Sequence, residues 1–230
     1  LAALAALAGP ARQAAATLAP LCNGVASTAH LDAPGTLNGT AGDDVLVGST
    51  GADVIKGNGG NDLICGEPDG AGSGGDDLVN GNSGNDTIFG NFGDDTLAGD
   101  ADDDLLTGGP GNDTMTGGSG NDIIDDHEGV NTADGNNGND NLEVAGTAKG
   151  GSGDDAAVTA FESALSLRNG FADGGSGSDS VYVIGGIATG GSGNDTVHGE
   201  GVGDELRGSS GSDLIEADDS GQIVNGGSAF

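Results

Sequence analysis

An apolar position recurs every nine residues over most of the chain. The segments that begin at Gly39, Gly48 and Gly57 read GTAGDDVLV, GSTGADVIK and GNGGNDLIC, and the eighth residue of each is apolar. The last three residues of a unit suit a short β-strand whose middle side chain points inward. A glycine-rich turn precedes each strand. This spacing predicts a solenoid in which two consecutive units form one turn.

The polar positions of the repeat are as regular as the apolar ones. Fifteen units carry glycine at most first and fourth positions and aspartate at the sixth. Glycine adopts the positive φ angles of a tight loop and lets loop carbonyls turn toward an ion, and aspartate supplies a short, hard carboxylate that suits Ca²⁺. The units after the first three begin at Gly72, Gly81, Gly90, Gly99, Gly108, Gly117, Gly135, Gly150, Gly174, Gly190, Gly199 and Gly208.

Units such as GGSGNDIID, which begins at Gly117, resemble the G-G-x-G-x-D repeats of the RTX (repeats-in-toxin, hemolysin-type) calcium-binding family. The resemblance covers roughly four fifths of the chain. It implies an all-β fold, a right-handed parallel β-roll of about ten to eleven turns. It also implies that Ca²⁺ lies between loops one turn apart, held by sixth-position carboxylates and loop carbonyls.

Loops on the same side of such a roll recur at every second unit, which predicts two edges. We interpret the six-residue piece GEPDGA after Cys65 as a shortened half-turn. One predicted metal-binding ladder then contains Asp86, Asp104, Asp122, Asp140, Asp155, Asp179, Asp195 and Asp213. The other contains Asp44, Asp62, Asp77, Asp95 and Asp113. The intervals within the ladders predict about eleven Ca²⁺ ions, with one calcium edge only after Asp113. Asp53 and Asp204 lack an intact neighbour and are expected to bind weakly or not at all.

The composition supports a fold that depends on metal. The 230 residues include 50 glycines, no tryptophan and only 3% aromatic residues, so apolar bulk is too scarce for an ordinary globular core. The formal net charge of −32 would keep a metal-free chain expanded by self-repulsion, and it argues against nucleic acid as a partner.

The first residues differ from the repeats. Residues 1–16 resemble the later part of a secretory signal peptide, although a short alanine-rich helix is the alternative. The apolar run is too short to span a membrane. We expect residues 17–38 to form an N-terminal cap and residues 39–230 to form the roll. Because the chain starts without methionine and stops within a repeat, we expect it to be part of a longer protein.

Two further features interrupt the repeat pattern. In an exported protein Cys22 and Cys65 are expected to form a disulfide that pins the cap to the first turns, and two free thiols are the alternative. An irregular loop at 159–173 is expected to be a bulged half-turn that packs Phe161 and Phe171 over the roll. A docking helix is the alternative for this loop, with Phe161, Ala164, Leu165 and Arg168 on one face.

The sequence favours a secreted, extracellular bacterial calcium-binding structural protein, a monomer whose folding is driven by extracellular Ca²⁺. The alternatives are a non-catalytic module of a larger exported enzyme, or a calcium-dependent adhesin with a surface, glycan or protein partner. We expect no enzyme activity. His127-Glu128 is followed by Asn131 where a zinc protease motif requires its second histidine, and the sequence has no G-x-S-x-G motif.

Overall fold

Two faces of parallel β-strands form the main body of the chain in this computed structural model. The structure describes residues 19–156, 158–161, 170–200, 203–218 and 221–227. Within these ranges there is no helix, and the strands stack as a solenoid of about ten turns. The predicted all-β parallel β-roll is therefore confirmed.

The strands are short and most follow a glycine-rich loop. In chain order they are β1 (Leu21–Cys22), β2 (Val25–Ala26), β3 (Ala29–His30), β4 (Thr36–Asn38), β5 (Val45–Val47), β6 (Val54–Gly59), β7 (Leu63–Cys65), β8 (Leu78–Ser83), β9 (Thr87–Phe89), β10 (Thr96–Ala101), β11 (Leu105–Thr107), β12 (Thr114–Ser119), β13 (Ile123–Asn137), β14 (Asn141–Ser152), β15 (Val158–Phe161), β16 (Gly170–Ser176), β17 (Ser180–Ile184), β18 (Gly186–Ser192), β19 (Thr196–Glu200), β20 (Glu205–Ser210), β21 (Leu214–Ala217) and β22 (Ile223–Asn225).

Each strand from β3 onward pairs in parallel with the strand one full turn away. Face one contains β3, β5, β7, β9, β11, the first parts of β13 and β14, and then β15, β17, β19 and β21. Face two contains β4, β6, β8, β10, β12, the last parts of β13 and β14, and then β16, β18, β20 and β22. The hairpin β1–β2 is antiparallel and lies outside both faces.

The middle side chain of each strand is buried between the faces, as the nine-residue pattern predicts. On face one these side chains include Leu46, Ile64, Ile88, Leu106, Ile124 and Leu142. On face two the column runs through Ile55, Val79, Leu97 and Met115, then through the smaller Ala133, Ala148, Ala172 and Ala188, and on to Leu206. The core side chains of face two are therefore smaller from Ala133 to Ala188.

The prediction that GEPDGA is a shortened half-turn is wrong. Strand β8 pairs with β6, and β9 pairs with β7, so residues 66–77 form one lengthened half-turn. The extra residues have a physical role outside the roll. The Asp69 carboxylate accepts hydrogen bonds from the backbone N–H groups of Asn23 and Gly24, at 2.8 and 2.6 Å. The insertion therefore caps the tight turn between β1 and β2.

The predicted disulfide between Cys22 and Cys65 is present, with Cα atoms 5.6 Å apart. It joins the β1–β2 hairpin to the outer side of face one. Cys22, Val47 and Cys65 form a small buried cluster there, separate from the main core, against which Phe89 packs. Inserted loop and disulfide thus hold the hairpin over the first turns from two directions.

Two expectations fall on residues outside the described ranges. They are the signal-peptide segment at 1–16 and the central part of the irregular loop, residues 162–169. The loop begins and ends in the strands β15 and β16, which pair in parallel with β14. In the described residues there is no helix long and apolar enough to cross a membrane.

The neighbours Ile123 and Ile124 test the inward and outward positions with the same side chain. Ile124 is fully buried, whereas Ile123 is 46% exposed. We expect Ile124→Ala to lower the free energy of unfolding by about 2–5 kcal/mol, because it leaves a cavity between the faces. Ile123→Ala should lower it by less than about 1 kcal/mol. Denaturant titration in calcium measures both, and equal losses would contradict the assigned register.

Candidate metal centres

The sixth-position aspartates join successive turns through hydrogen bonds from side chain to backbone. Asp104 Oδ1 accepts from the N–H of Asp86 at 2.7 Å, and Asp122 Oδ1 accepts from the N–H of Asp104 at 2.9 Å. Since every such carboxylate reaches back to the preceding turn, the aspartates form continuous ladders. Each of these bonds fixes the backbone of an aspartate directly before the strand that pairs in parallel with the next turn.

The structure contains two ladders, whose membership differs from the prediction. The face-one ladder contains Asp44, Asp62, Asp86, Asp104, Asp122, Asp140, Asp155, Asp179, Asp195 and Asp213. The face-two ladder contains Asp53, Asp77, Asp95 and Asp113. The prediction that places Asp44 and Asp62 in one ladder with Asp77 is wrong, because residues 66–77 form a single lengthened half-turn.

The expectation that Asp53 lacks an intact neighbour is also wrong. Its N–H donates to Asp77 Oδ1 at 2.8 Å, and the residue is buried. Asp204 has a different neighbour, since its Oδ1 accepts from the N–H of Gly186 at 2.8 Å. Asp53 is therefore a full ladder member, and Asp204 lies opposite a glycine loop.

The second carboxylate oxygen of most ladder residues is buried and has no hydrogen-bond partner. These Oδ2 atoms belong to Asp62, Asp77, Asp86, Asp95, Asp104, Asp113, Asp122, Asp140, Asp155, Asp179, Asp195 and Asp213, and the Oδ2 atom of Asp204, outside both ladders, is also buried without a partner. The first member of each ladder differs, because Asp44 and Asp53 accept at Oδ2 from the N–H groups of Thr40 and Ser49, both at 2.6 Å. A buried oxygen without a donor is costly, and a row of this length indicates that the loops bind a cation.

The space beside each unpartnered oxygen is kept open by the first glycine of its own loop. A Cβ atom at Gly81 would lie 2.1 Å from Asp86 Oδ2 and 3.0 Å from the carbonyl oxygen of Gly99, one turn later. The fourth position needs glycine for another reason, since Gly84 has φ of +109°. The loop thus presents a carboxylate oxygen and a carbonyl oxygen to the same small volume.

These oxygens fit Ca²⁺, which prefers six to eight hard oxygen ligands and accepts carbonyls alongside carboxylates. Among the described residues no three His, Cys, Asp or Glu side chains converge as a side-chain cage. An ion at these loops would therefore need backbone carbonyls to complete its ligands, which the open glycine positions supply.

The electrostatics of the ladders also favour a bound cation. Burial, together with neighbouring carboxylates, raises the pKa of Asp77 to about 8 and the pKa of Asp104 to about 7, from 3.8. The charged form of these groups is thus unfavourable in the metal-free roll. A proton or a divalent cation is needed to compensate them.

A second set of hydrogen bonds runs in the opposite direction along the loop surface. Asp103 Oδ1 accepts from the N–H of Asn121 at 2.7 Å, and Asn121 Oδ1 accepts from the N–H of Asn139 at 2.9 Å. These fifth-position side chains are exposed and bond to the following turn. They explain the recurrent Asn-Asp pair, in which only the second residue points into the roll.

The loops that carry the face-two ladder lose their first-position glycine after Asp113. The position taken by Gly90 and Gly108 in earlier turns becomes Asp126, then Val144 and, further along, Val183. Both valines are fully buried. A branched side chain at the first loop position fills the space that glycine leaves open, so apolar packing replaces the oxygen-lined cradle on this edge.

Sequence reasoning missed two buried acids beside the face-two ladder, Glu67 and Asp126. Glu67 Oε1 accepts from the N–H of Gly75 at 3.1 Å, and Oε2 accepts from the N–H of Phe92 at 3.2 Å. Burial raises the pKa of Glu67 to about 7. Neither acid is at a sixth position. Each lies where the nine-residue repeat is irregular, and this irregularity is the feature of the sequence that could have indicated them.

Comparison with known proteins identifies the repeats. A family model described as RTX calcium-binding nonapeptide repeat (4 copies) matches residues 38–69, 71–106, 107–142 and 187–215, which is more than half of the chain. None of the curated proteins compared with the chain matches it. Repeats of this family form calcium-binding β-rolls with a structural role. The matched segments contain most of both aspartate ladders, and the chain belongs to the RTX calcium-binding nonapeptide repeat family.

Proposed function

We propose that this chain is a secreted structural protein whose roll folds when it binds extracellular Ca²⁺. The observation that carries the proposal is the row of buried Oδ2 atoms without hydrogen-bond partners. Such a row is compatible with a stable roll only when cations or protons compensate it, so binding and folding become one event. The ladders act as ligands in this proposal, and no catalytic step is assigned to them.

The ladders also suggest how much calcium the roll takes up. Ten aspartates on face one enclose nine intervals, and four on face two enclose three. One ion in each interval gives about a dozen, which would offset about 24 of the negative charges. Since the formal net charge is −32, calcium would remove most of the self-repulsion that opposes folding.

Two observations support export. RTX calcium-binding repeats are typical of secreted bacterial proteins. The Cys22–Cys65 disulfide ties the N-terminal hairpin to the first turns, and such bonds persist in oxidising compartments. Extracellular fluid also supplies the millimolar Ca²⁺ that weak, carbonyl-rich sites require.

Calcium dependence of folding is the first test of this proposal. Circular dichroism of the purified chain should be coil-like in chelator and β-rich in millimolar Ca²⁺. Magnesium at the same concentration is the control, because Mg²⁺ demands a stricter octahedral geometry and gives up its water reluctantly. A β-rich spectrum that is the same with chelator and with calcium would contradict the proposal.

Adjacent aspartates provide a matched test of the ligand assignment. Asp104→Asn keeps the Oδ1 acceptor for the Asp86 N–H but removes a buried negative charge. Asp103→Asn removes an exposed charge and keeps the Oδ1 acceptor for the Asn121 N–H. In calcium we expect Asp104→Asn to lower the free energy of unfolding by about 1–3 kcal/mol, and Asp103→Asn by less than about 0.5 kcal/mol. Thermal melts at fixed free calcium measure both, and equal effects would argue against buried ligands.

Proton binding should partly replace calcium. Burial raises the pKa of Asp77 to about 8 and of Asp104 to about 7 in the folded chain, from 3.8. Groups with raised pKa values take up protons on folding, so their contribution to stability is complete below pH 3.8 and is lost as the pH rises through 7 and 8.

We therefore expect calcium-depleted protein to contain more β-structure at about pH 5 than at about pH 8. Adding calcium should abolish the difference. Circular dichroism across this pH range is the measurement. Calcium-depleted protein that is better folded at the higher pH would show that the ladder carboxylates are not the groups that oppose folding.

A further inference from the structure

We propose that Asp126 and Asp113 form a two-carboxylate Ca²⁺ site that ends the face-two ladder. This site lies one interval beyond the last pair of ladder aspartates, where the sixth position of the loop is Asn131. The inference rests on the proposed calcium-binding function, but it assigns a site that the repeat pattern does not contain.

The geometry at Gly108 carries the proposal. A Cβ atom there would lie 2.3 Å from Asp126 Oδ2 and 2.4 Å from Asp113 Oδ2. At the preceding loop, a Cβ atom at Gly90 would lie 2.4 Å from Asp95 Oδ2 and 2.7 Å from the Gly108 carbonyl oxygen. The Asp126 carboxylate thus occupies the place that a carbonyl oxygen of the next turn has at the ordinary loop.

Burial makes this pair of carboxylates different from a solvated acidic cluster. Asp113 is 1% exposed and Asp126 is 3% exposed, and their carboxyls lie close enough to share a proton, while no other donor among the described residues reaches Asp113 Oδ2. Backbone N–H groups hold Asp126 in position, with Gly109 donating to Oδ2 at 3.0 Å and Glu128 donating to Oδ1 at 3.1 Å. Two buried, adjacent negative charges require a compensating cation or a shared proton.

Asn131 explains why the ladder stops at this point. Its Oδ1 keeps the ladder hydrogen bond to the Asp113 N–H, at 2.9 Å. Its amide nitrogen donates to the Glu128 carbonyl at 3.0 Å and to the Asp126 carbonyl at 3.5 Å. The neutral amide therefore satisfies loop carbonyls of its own unit, and the next first-position residue on this edge is the buried Val144.

The chemistry of the pair selects a hard divalent ion. Two carboxylate oxygens and the surrounding backbone oxygens match Ca²⁺, and affinity rises with the number of charged ligands. Because an ordinary interval also lies between two ladder carboxylates, we expect this site to hold one ion in the same range of free calcium as those intervals.

Ion counting with matched variants tests the site. Native mass spectrometry counts the ions bound at the lowest free calcium that folds the wild type. We expect Asp126→Asn to retain one ion fewer than the wild type. Asp125→Asn, which removes the adjacent exposed charge and only a surface pair with His127, should retain the same number as the wild type.

Two further results decide the remaining cases. If Asp126→Asn does not fold, Asp126→Gly restores the residue usual at this position and should also bind one ion fewer. An unchanged count in a folded Asp126 variant would mean that the carboxyls share a proton and would overturn the site. Failure of the wild type to bind calcium, or no loss in Asp104→Asn, would instead overturn the proposed function.

Discussion

The rest of the structure depends on one constraint, which is that the two oxygens of each sixth-position carboxylate have different partners. One oxygen must accept the N–H of the preceding turn, as Asp104 does from Asp86, and this bond sets the vertical register of the strands. The same bond directs the other oxygen into the wall of the roll, where it has no donor. Strand register and the need for a compensating cation or proton are therefore consequences of one side chain, and the proposed coupling of folding to Ca²⁺ rests on it.

The two edges meet this constraint in different ways. Face one keeps an aspartate at every turn from Asp44 to Asp213, whereas face two keeps the run only from Asp53 to Asp113. Beyond that run the buried Val144 and Val183 occupy first loop positions, and the core column of face two consists of alanines from Ala133 to Ala188. The small alanines leave room for the additional inward valines. In the C-terminal half, one edge is thus filled by apolar side chains, and the other keeps the ladder of buried aspartates.

Much of the fold could be predicted because the nine-residue period encodes strand, inward side chain and loop together. The assignment of Asp44 and Asp62 to a ladder failed for a physical reason. A periodic pattern does not distinguish a shortened half-turn from an insertion, and here a distant contact, Asp69 with the hairpin turn at Asn23, decides between them. Asp126 could not be predicted as a ligand, because its role depends on which glycine loop lies one turn away from it. That neighbour is set by the register of the strands and not by the repeat.

We propose that calcium follows the ladders, on both edges in the first half of the roll and on one edge in the second. Anomalous scattering from crystals grown in calcium would locate the ions directly. We expect a row of peaks beside the face-one aspartates along the whole roll, and a second row beside the face-two ladder that ends near Asp113 and Asp126. Peaks beside Val144 and Val183, in the continuation of the face-two ladder, or an absence of peaks beside the buried aspartates, would contradict this distribution of calcium.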